Sequence, residues 1–341
     1  MATYYVDNTA TGANNGGAGN DAWQTFASMM SNPPASHDVI YVKGGTDYDE
    51  PLNITVNGGY SEYILLEGYT TTPGDGGKAT IAPSSGTNCC TFASGISNWQ
   101  LKNLVFDAIN VSDDAVVILD RAGFFVNCEF NNSAGAGIDA GAVQTFVRCS
   151  ASGNAGHGFD CGSNTTMIFC SADTNGADGI HIQDGGQCHY CVAWGNTSYN
   201  IYIQSGGYGT AAVSVGSVTD GDSSTTTGMW LRPNANCTVG INNINYDNTN
   251  GLENGGAISS NGAHGECNLS YGNTTNFVTL EAETDITSAP DFVDEVNGDY
   301  RLSDNSSARN AGADARGTSG SGMDIGAYQS IDAGTRKIII G

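Results

Sequence analysis

Asp139, Asp160, His181 and Tyr202 follow one another at a constant step of 21 residues. If 21 residues close one turn of a coil, Asp139 and Asp160 stand on neighbouring strands about 4.8 Å apart. A carboxylate that near another raises its neighbour's pKa, leaving an acid beside a base. The spacing suits a retaining glycosidase better than an inverting one, whose carboxyls are separated by about 6.5–9.5 Å. In that chemistry His181 relays a proton and Tyr202 stacks a sugar ring. Asp178 and Asp184 add carboxylates nearby. The plain alternative is that outward positions of any soluble solenoid are polar, and 35 acidic residues must lie somewhere.

The elements that must position these groups are written in the same period. FFVNCEFNNS, FVRCSASGN, IFCSADTN and YCVAWGN place Cys128, Cys149, Cys170 and Cys191 in one column. GIDA, GFDC, GIHI and NIYI form a second, and Asn154, Asn175 and Asn196 a third. Three columns in one period mark a solenoid whose turns are short strands separated by bends. Side chains alternate along each strand, so Phe159 and Cys161 point inward and Asp160 outward. The same parity puts Ile138, Ala140, Ile180, Ile182, Ile201 and Ile203 inside. No apolar i, i+3, i+4, i+7 pattern supports helices here. Glycine and asparagine at the bends supply the positive φ that tight corners need. The fold class is all-β, a parallel β-helix with a short N-terminal capping helix.

The chain has 341 residues, 39% of them hydrophobic, enough for a sizeable core in one domain. A formal charge of −24 opposes nucleic-acid binding and disfavours unaided capture of polyanionic sugars. Ten cysteines are present, but the column of thiols suits an apolar interior better than a disulfide framework. Cys188 and Cys191 form a CxxC that lacks the second pair a zinc site would need. Met1 leads directly into ATYYVDN, so neither a signal peptide nor a membrane span is expected. That start points to synthesis in a reducing cytoplasm, or to an extracellular protein if a signal has been removed.

Along the chain, residues 1–38 read as a strand, TYYVD, and a helix that covers the first rung. Asp21 is the expected N-cap, Trp23, Phe26, Ala27 and Met30 the apolar face, and Pro33-Pro34 the stop. Residues 39–288 carry the coil: VIYV, YILLEGY, ATIA, CCTF, LKNLVF and AVVIL, then the 21-residue rungs. TPGDGGK lacks the GK[ST] ending of a phosphate loop and reads as a turn. Beyond Gln204, GMWLR and GAISS are expected to continue the second column, and VGINNINYDN and ECNLSYGN the cysteine column. Residues 289–341 turn polar and loop-rich, an expected cap on the last rung, with RKIIIG as a terminal strand. Calcium is a candidate at the acidic turn 219–222 or at Asp173 and Asp178, without matching a defined motif; no other cofactor is expected. His37, His157, His189 and His264 have no partner visible in the sequence. Arg148 and Arg232 fall outside the acidic column, which disfavours a lyase.

The opening YYVDNTATGANNGGAGNDAWQTF, the first rungs VIYVKGGTDYDEPLNITVNG and ILLEGYTTTPGDGGKATI, and the closing PDFVDEVNGDYRLSDNSSARNAGA with DIGAYQ resemble pectate-lyase-like right-handed β-helix proteins. The likeness spans nearly the whole chain and is specific for fold, since such proteins include lyases, hydrolases, epimerases and phage tailspikes. The chain is most similar to phage-encoded members. That resemblance implies a non-enzymatic virion protein, a capsid decoration, fibre or spike made in the host cytoplasm. Its implied partners are other virion proteins and host-surface glycans, with trimers expected from fibre-like relatives. The alternatives are a glycoside hydrolase using Asp139 and Asp160, and a carbohydrate-binding adhesin using Tyr202.

Overall fold

The computed structural model describes residues 1–59, 62–118 and 123–204 without a break. Beyond them it describes 212–215, 218–220, 227–232, 238–241, 243–254, 264–266, 268–278, 286–294, 299–313 and 319–325. The chain winds as a parallel β-solenoid of three sheets. The first runs from Thr3–Val6 up to His264–Glu266, the second from Ala79–Ile81 to Leu269–Tyr271, and the third from Leu52–Ile54 to Thr275–Val278. Every neighbouring pair within these sheets is parallel, and the 21-residue step is the register itself: Ile138 pairs Phe159, which pairs Ile180, which pairs Ile201.

The alternation read from the sequence holds. Ile138, Ala140, Phe159, Cys161, Ile180 and Ile182 are buried, joined by Phe125, Phe130 and Phe146 in one continuous core. Rings from successive rungs meet in that core, Phe125 on Phe146 at 5.1 Å and Phe130 on Phe159 at 5.8 Å. The thiols of Cys128, Cys149, Cys170 and Cys191 form a file, each beside the next, and burial lifts all four well above the ordinary thiol range. All eight described cysteines are buried and unbridged. Register carries the cysteine position onto Asn243 and Asn268, which bond to each other across 3.1 Å.

A second polar file runs beside the core. Asn154 Nδ2 donates to Asn175 Oδ1 at 2.9 Å, and Asn175 Nδ2 to Asn196 Oδ1 at 2.8 Å. Asn196 Nδ2 donates to Asn200 Oδ1, and Asn200 Nδ2 to Asn248 Oδ1. The same Nδ2 groups also donate to the carbonyls of Phe130, Ala151 and Ala172, so each buried amide is bonded along and across the coil.

The corner between the first and second sheets is less economical than the sequence suggests. Its residues have φ near 55°, and after Asn103 and Asn127 the position is held by Arg148, Phe169 and Tyr190. Such non-glycine left-handed residues cost on the order of 1 kcal/mol or more each. Side-chain stacking offsets part of that cost: Phe169 lies 5.3 Å from Tyr190, and Arg148 sits over the Phe169 ring.

Both ends differ from the sequence reading. The capping helix spans Phe26–Ser31, and its N-cap is Thr25, whose Oγ1 accepts from Ser28 N; the Asp21 carboxylate accepts instead from Ala13 N. Phe26 and Met29 face the core, Ala27 is exposed, and Trp23 packs ahead of the helix against Tyr4. The rung above Thr227–Arg232 is Asn250–Asn254; GAISS lies outside the described residues. The C-terminal segment does not simply cap the last rung. Ile286 bridges Leu269, then two antiparallel pairs, Phe292–Asp294 with Asp299–Leu302 and Gly312–Ala313 with Ser319–Met323, leave the parallel system. Tyr300, Ala308 and Ile325 pack against Val192, Ile244 and Leu269, the outer face of the second sheet. RKIIIG lies outside the described residues.

Replacing Asn175 by alanine strips partners from Asn154 and from the Ala151 carbonyl. Leaving such buried groups unsatisfied is expected to lower stability by about 1–3 kcal/mol, measured as a reduced urea midpoint with an unchanged slope. An unchanged midpoint would show that the amide file contributes nothing.

Candidate functional site

Two outward columns meet on the third sheet. One occupies the middle of each strand: Val117, Asp139, Asp160, His181, Tyr202, Trp230 and Glu253 are successive register partners. The other lies three residues earlier, where the same 21-residue step gives His157 and Asp178 in the turns before their strands and Tyr199 at the start of its own. HGFD at 157–160 and DGIH at 178–181 therefore interleave an imidazole and a carboxyl in opposite order on consecutive rungs. The glycine inside each motif is required by the asparagine file. A Cβ on Gly179 would stand 2.5 Å from Asn196 Nδ2 and 2.7 Å from the Asn200 carbonyl.

His157, given no partner by the sequence, is central. Its Nδ1 lies 3.3 Å from Asp178 Oδ2 and 3.2 Å from the Asp178 backbone nitrogen. Protonated, Nδ1 donates to the carboxylate; neutral, it accepts from the N–H, so it has a partner in either state. The bond to Asp178 raises the His157 pKa against the opposing effect of burial. For Asp178, burial pushes upward, but His157 and the Tyr199 N–H, which donates to Oδ1 at 3.1 Å, hold it below the ordinary range. His181 Nδ1 lies 3.5 Å from Asp178 Oδ2 and 3.7 Å from Asp160 Oδ1. It is buried and makes no hydrogen bond. Burial lowers the His181 pKa despite the attraction of Asp160 and Asp178. The two imidazoles meet edge to face with centroids 5.0 Å apart.

Below them Asp139 is exposed, and its carboxyl is pushed up by partial burial, then by the charges of Asp160 and Asp113. Asp114 is raised for the same reasons, with Asp113, Asp139 and Asp160 as the charges. The column thus holds an acid of raised pKa next to a carboxylate. Above the histidines the surface becomes aromatic. Tyr202 is 6% exposed, with its ring packed among His181, Tyr199 and Trp230 at 4.5–5.4 Å, which leaves no open face for a sugar. Tyr199 and Trp230 are partly exposed and stack at 4.8 Å, 15° from parallel.

Other candidates fall elsewhere. Asp173 sits on a second-sheet strand bonded to Ser152, away from Asp178 in the turn entering the third sheet. Asp184 follows the Ile180–Ile182 strand, one carboxylate oxygen buried without a hydrogen bond. His37 pairs with Glu62 at 2.7 Å, and His189 with Gln187. The side chains of residues 219–222, Arg232 and His264 lie outside the described residues.

No family model matches the chain, and no curated protein sequence does. Solved structures do. Pectate lyase Pel9A superposes with a TM-score of 0.72 at 18% identity, over 96% of this chain and 96% of the lyase. The fold is that of the pectate-lyase-like right-handed β-helices. A rhamnogalacturonan lyase aligns at TM-score 0.54 and 14% identity, over 89% of this chain and 95% of the lyase. The Dettilon tailspike protein aligns at 0.51 and 13%, over 81% of this chain and 55% of the tailspike. At such identities the likeness concerns the β-helix itself, and the chemistry of this face rests on its own residues.

A raised carboxyl pKa means the folded state favours the protonated form, so ionised Asp139 destabilises the fold above that pKa and the penalty disappears as pH falls below it. Asp139→Asn is therefore expected to stabilise the chain at pH 7 by about 0.2–1 kcal/mol, less in high salt, with no gain at pH 3. Thermal melts at both pH values check this; an equal gain at pH 3 would exclude charge repulsion as its source.

Proposed function

We propose that this chain is a rigid β-helical rod that presents its third sheet to glycans on a host surface, as a spike or decoration of a phage particle. The observation that carries the glycan-facing part is the partly exposed Tyr199–Trp230 stack beside the acidic and histidine columns. Flat aromatic faces next to hydrogen-bonding side chains are the usual means of holding a sugar ring. The in-register rod supports a display role, and the buried, unbridged thiols suit synthesis in a reducing cytoplasm. The phage placement is supported by the resemblance to phage-encoded β-helix proteins and by the tailspike among the similar structures. On a panel of bacterial surface polysaccharides, Tyr199→Ala and Trp230→Ala are each expected to weaken binding about tenfold. Mass spectrometry of purified particles tests the placement. Unaltered binding in both variants, or absence of the chain from every particle fraction, would defeat the corresponding half of the reading.

A second reading is favoured by one specific observation, the stacking of Asp139 in register directly below Asp160, where burial and the neighbouring charge push the Asp139 carboxyl up. In glycoside hydrolysis Asp139 would protonate the leaving oxygen while the Asp160 carboxylate meets the developing positive charge at the sugar. Reducing-sugar release that disappears in both Asp139→Asn and Asp160→Asn would establish it. Binding without release would leave the chain a lectin-like rod.

A further inference from the structure

We infer that His157, Asp178 and His181 bind one divalent transition-metal ion of the zinc class, partly buried at the outer side of the third sheet. Their ligand atoms all lie within 4.8 Å of one another. A tetrahedral ion with bonds of about 2.0–2.2 Å holds its ligand atoms roughly 3.3–3.6 Å apart. Two of the three separations already match: Asp178 Oδ2 is 3.3 Å from His157 Nδ1 and 3.5 Å from His181 Nδ1. The third separation, between the two imidazoles, is no more than 4.8 Å.

Three further observations point the same way. His181 Nδ1 is buried and makes no hydrogen bond, a condition that an ion at its lone pair would relieve. Asp178 is fixed for the task, because Oδ1 accepts the Tyr199 N–H and Oδ2 is left turned toward both histidines. The donor set selects the metal. Calcium and magnesium require shells of oxygen, whereas two imidazoles and one carboxylate suit zinc, cobalt or nickel. Three protein ligands leave a fourth position open, and Asp160 Oδ1, 3.7 Å from His181 Nδ1, borders it. Binding exchanges one interaction, since the ion takes the His157 lone pair that otherwise accepts the Asp178 N–H.

The site is separate from the cysteine file, which is interior, and from Asp139, one rung below Asp160. The test uses the full, tag-free chain after chelator treatment, titrated with zinc chloride in a calorimeter without any glycan. Its result is therefore independent of the glycan reading. One zinc ion per chain is expected, undisturbed by equimolar calcium or magnesium. His157→Ala and His181→Ala should each weaken it by about a hundredfold or more, with unchanged circular dichroism of the metal-free variants. Cobalt added to the wild-type chain, which needs no variant, should give the visible band of a four- or five-coordinate site containing nitrogen. A cobalt spectrum like that of the aqueous ion, absence of stoichiometric zinc uptake, equal affinity for calcium, or full uptake by both variants would each overturn the inference.

Discussion

The described coil depends on strands being stacked in register, one turn above the next, at a strict 21-residue step through its middle rungs. Parallel pairing at that step places each residue against its own counterpart in the repeat, so the energetics become a matter of which groups tolerate a copy of themselves overhead. Thiols and phenyl rings do, because they are apolar and pack. Asparagine does for a different reason. A primary amide carries a donor and an acceptor, so a file of them satisfies itself indefinitely. Asn154, Asn175, Asn196, Asn200 and Asn248 exploit this and extend beyond the strictly regular rungs by recruiting Asn200 at a different position.

Carboxylates do not tolerate such stacking. Asp139 beneath Asp160 is a repulsion that the register imposes. The next rung relieves it by substituting His181, and the adjacent column alternates His157 with Asp178, so above Asp160 opposite tendencies are neighbours in both directions. The face therefore grades from surplus negative charge through a mixed imidazole–carboxyl cluster to an aromatic wall at Tyr199 and Trp230. That gradient makes it chemically distinct from the second sheet, where the outer Glu129, Ser150 and Ser171 give way to Val192, Ile244 and Leu269. The polar-to-apolar change there is answered by the C-terminal segment, which covers it.

Where the repeat is strict, the sequence was nearly transparent: the three columns, the inward and outward parity and the neighbours of Asp139, Asp160 and His181 all follow from counting. Much of what escaped it lacked a repeat to count. Thr25 rather than Asp21 caps the helix because Ser28, whose N–H it accepts, lies three positions on, while Asp21 is drawn into the glycine loop. The return of the C-terminal segment along the flank was signalled by Val192, Ile244 and Leu269 in outer positions. That signal is visible only once outer positions are known. The rung at Asn250–Asn254 was missed because the step there no longer equals 21. His157 shares the period of Asp178 and Tyr199, but strand parity says nothing of the turns, where these residues form a column of their own. Tyr202 was placed outward correctly, but Trp230 above and His181 below bury it, a consequence of side-chain bulk that parity does not reveal.

The coupling between frame and face runs through two glycines. Gly158 and Gly179 each lie between a turn-column residue and its strand partner, and each passes so close to an asparagine amide that no side chain fits. The interior file thereby sets the height of HGFD and DGIH relative to each other, and with it the distance from His157 and His181 to the shared Asp178 carboxylate. A rod built for shape alone requires only the interior files. Holding two imidazoles on one carboxylate oxygen at 3.3 and 3.5 Å requires in addition that consecutive turns be locked to a fraction of an ångström. The bonded asparagines supply that lock at the rungs where the cluster sits.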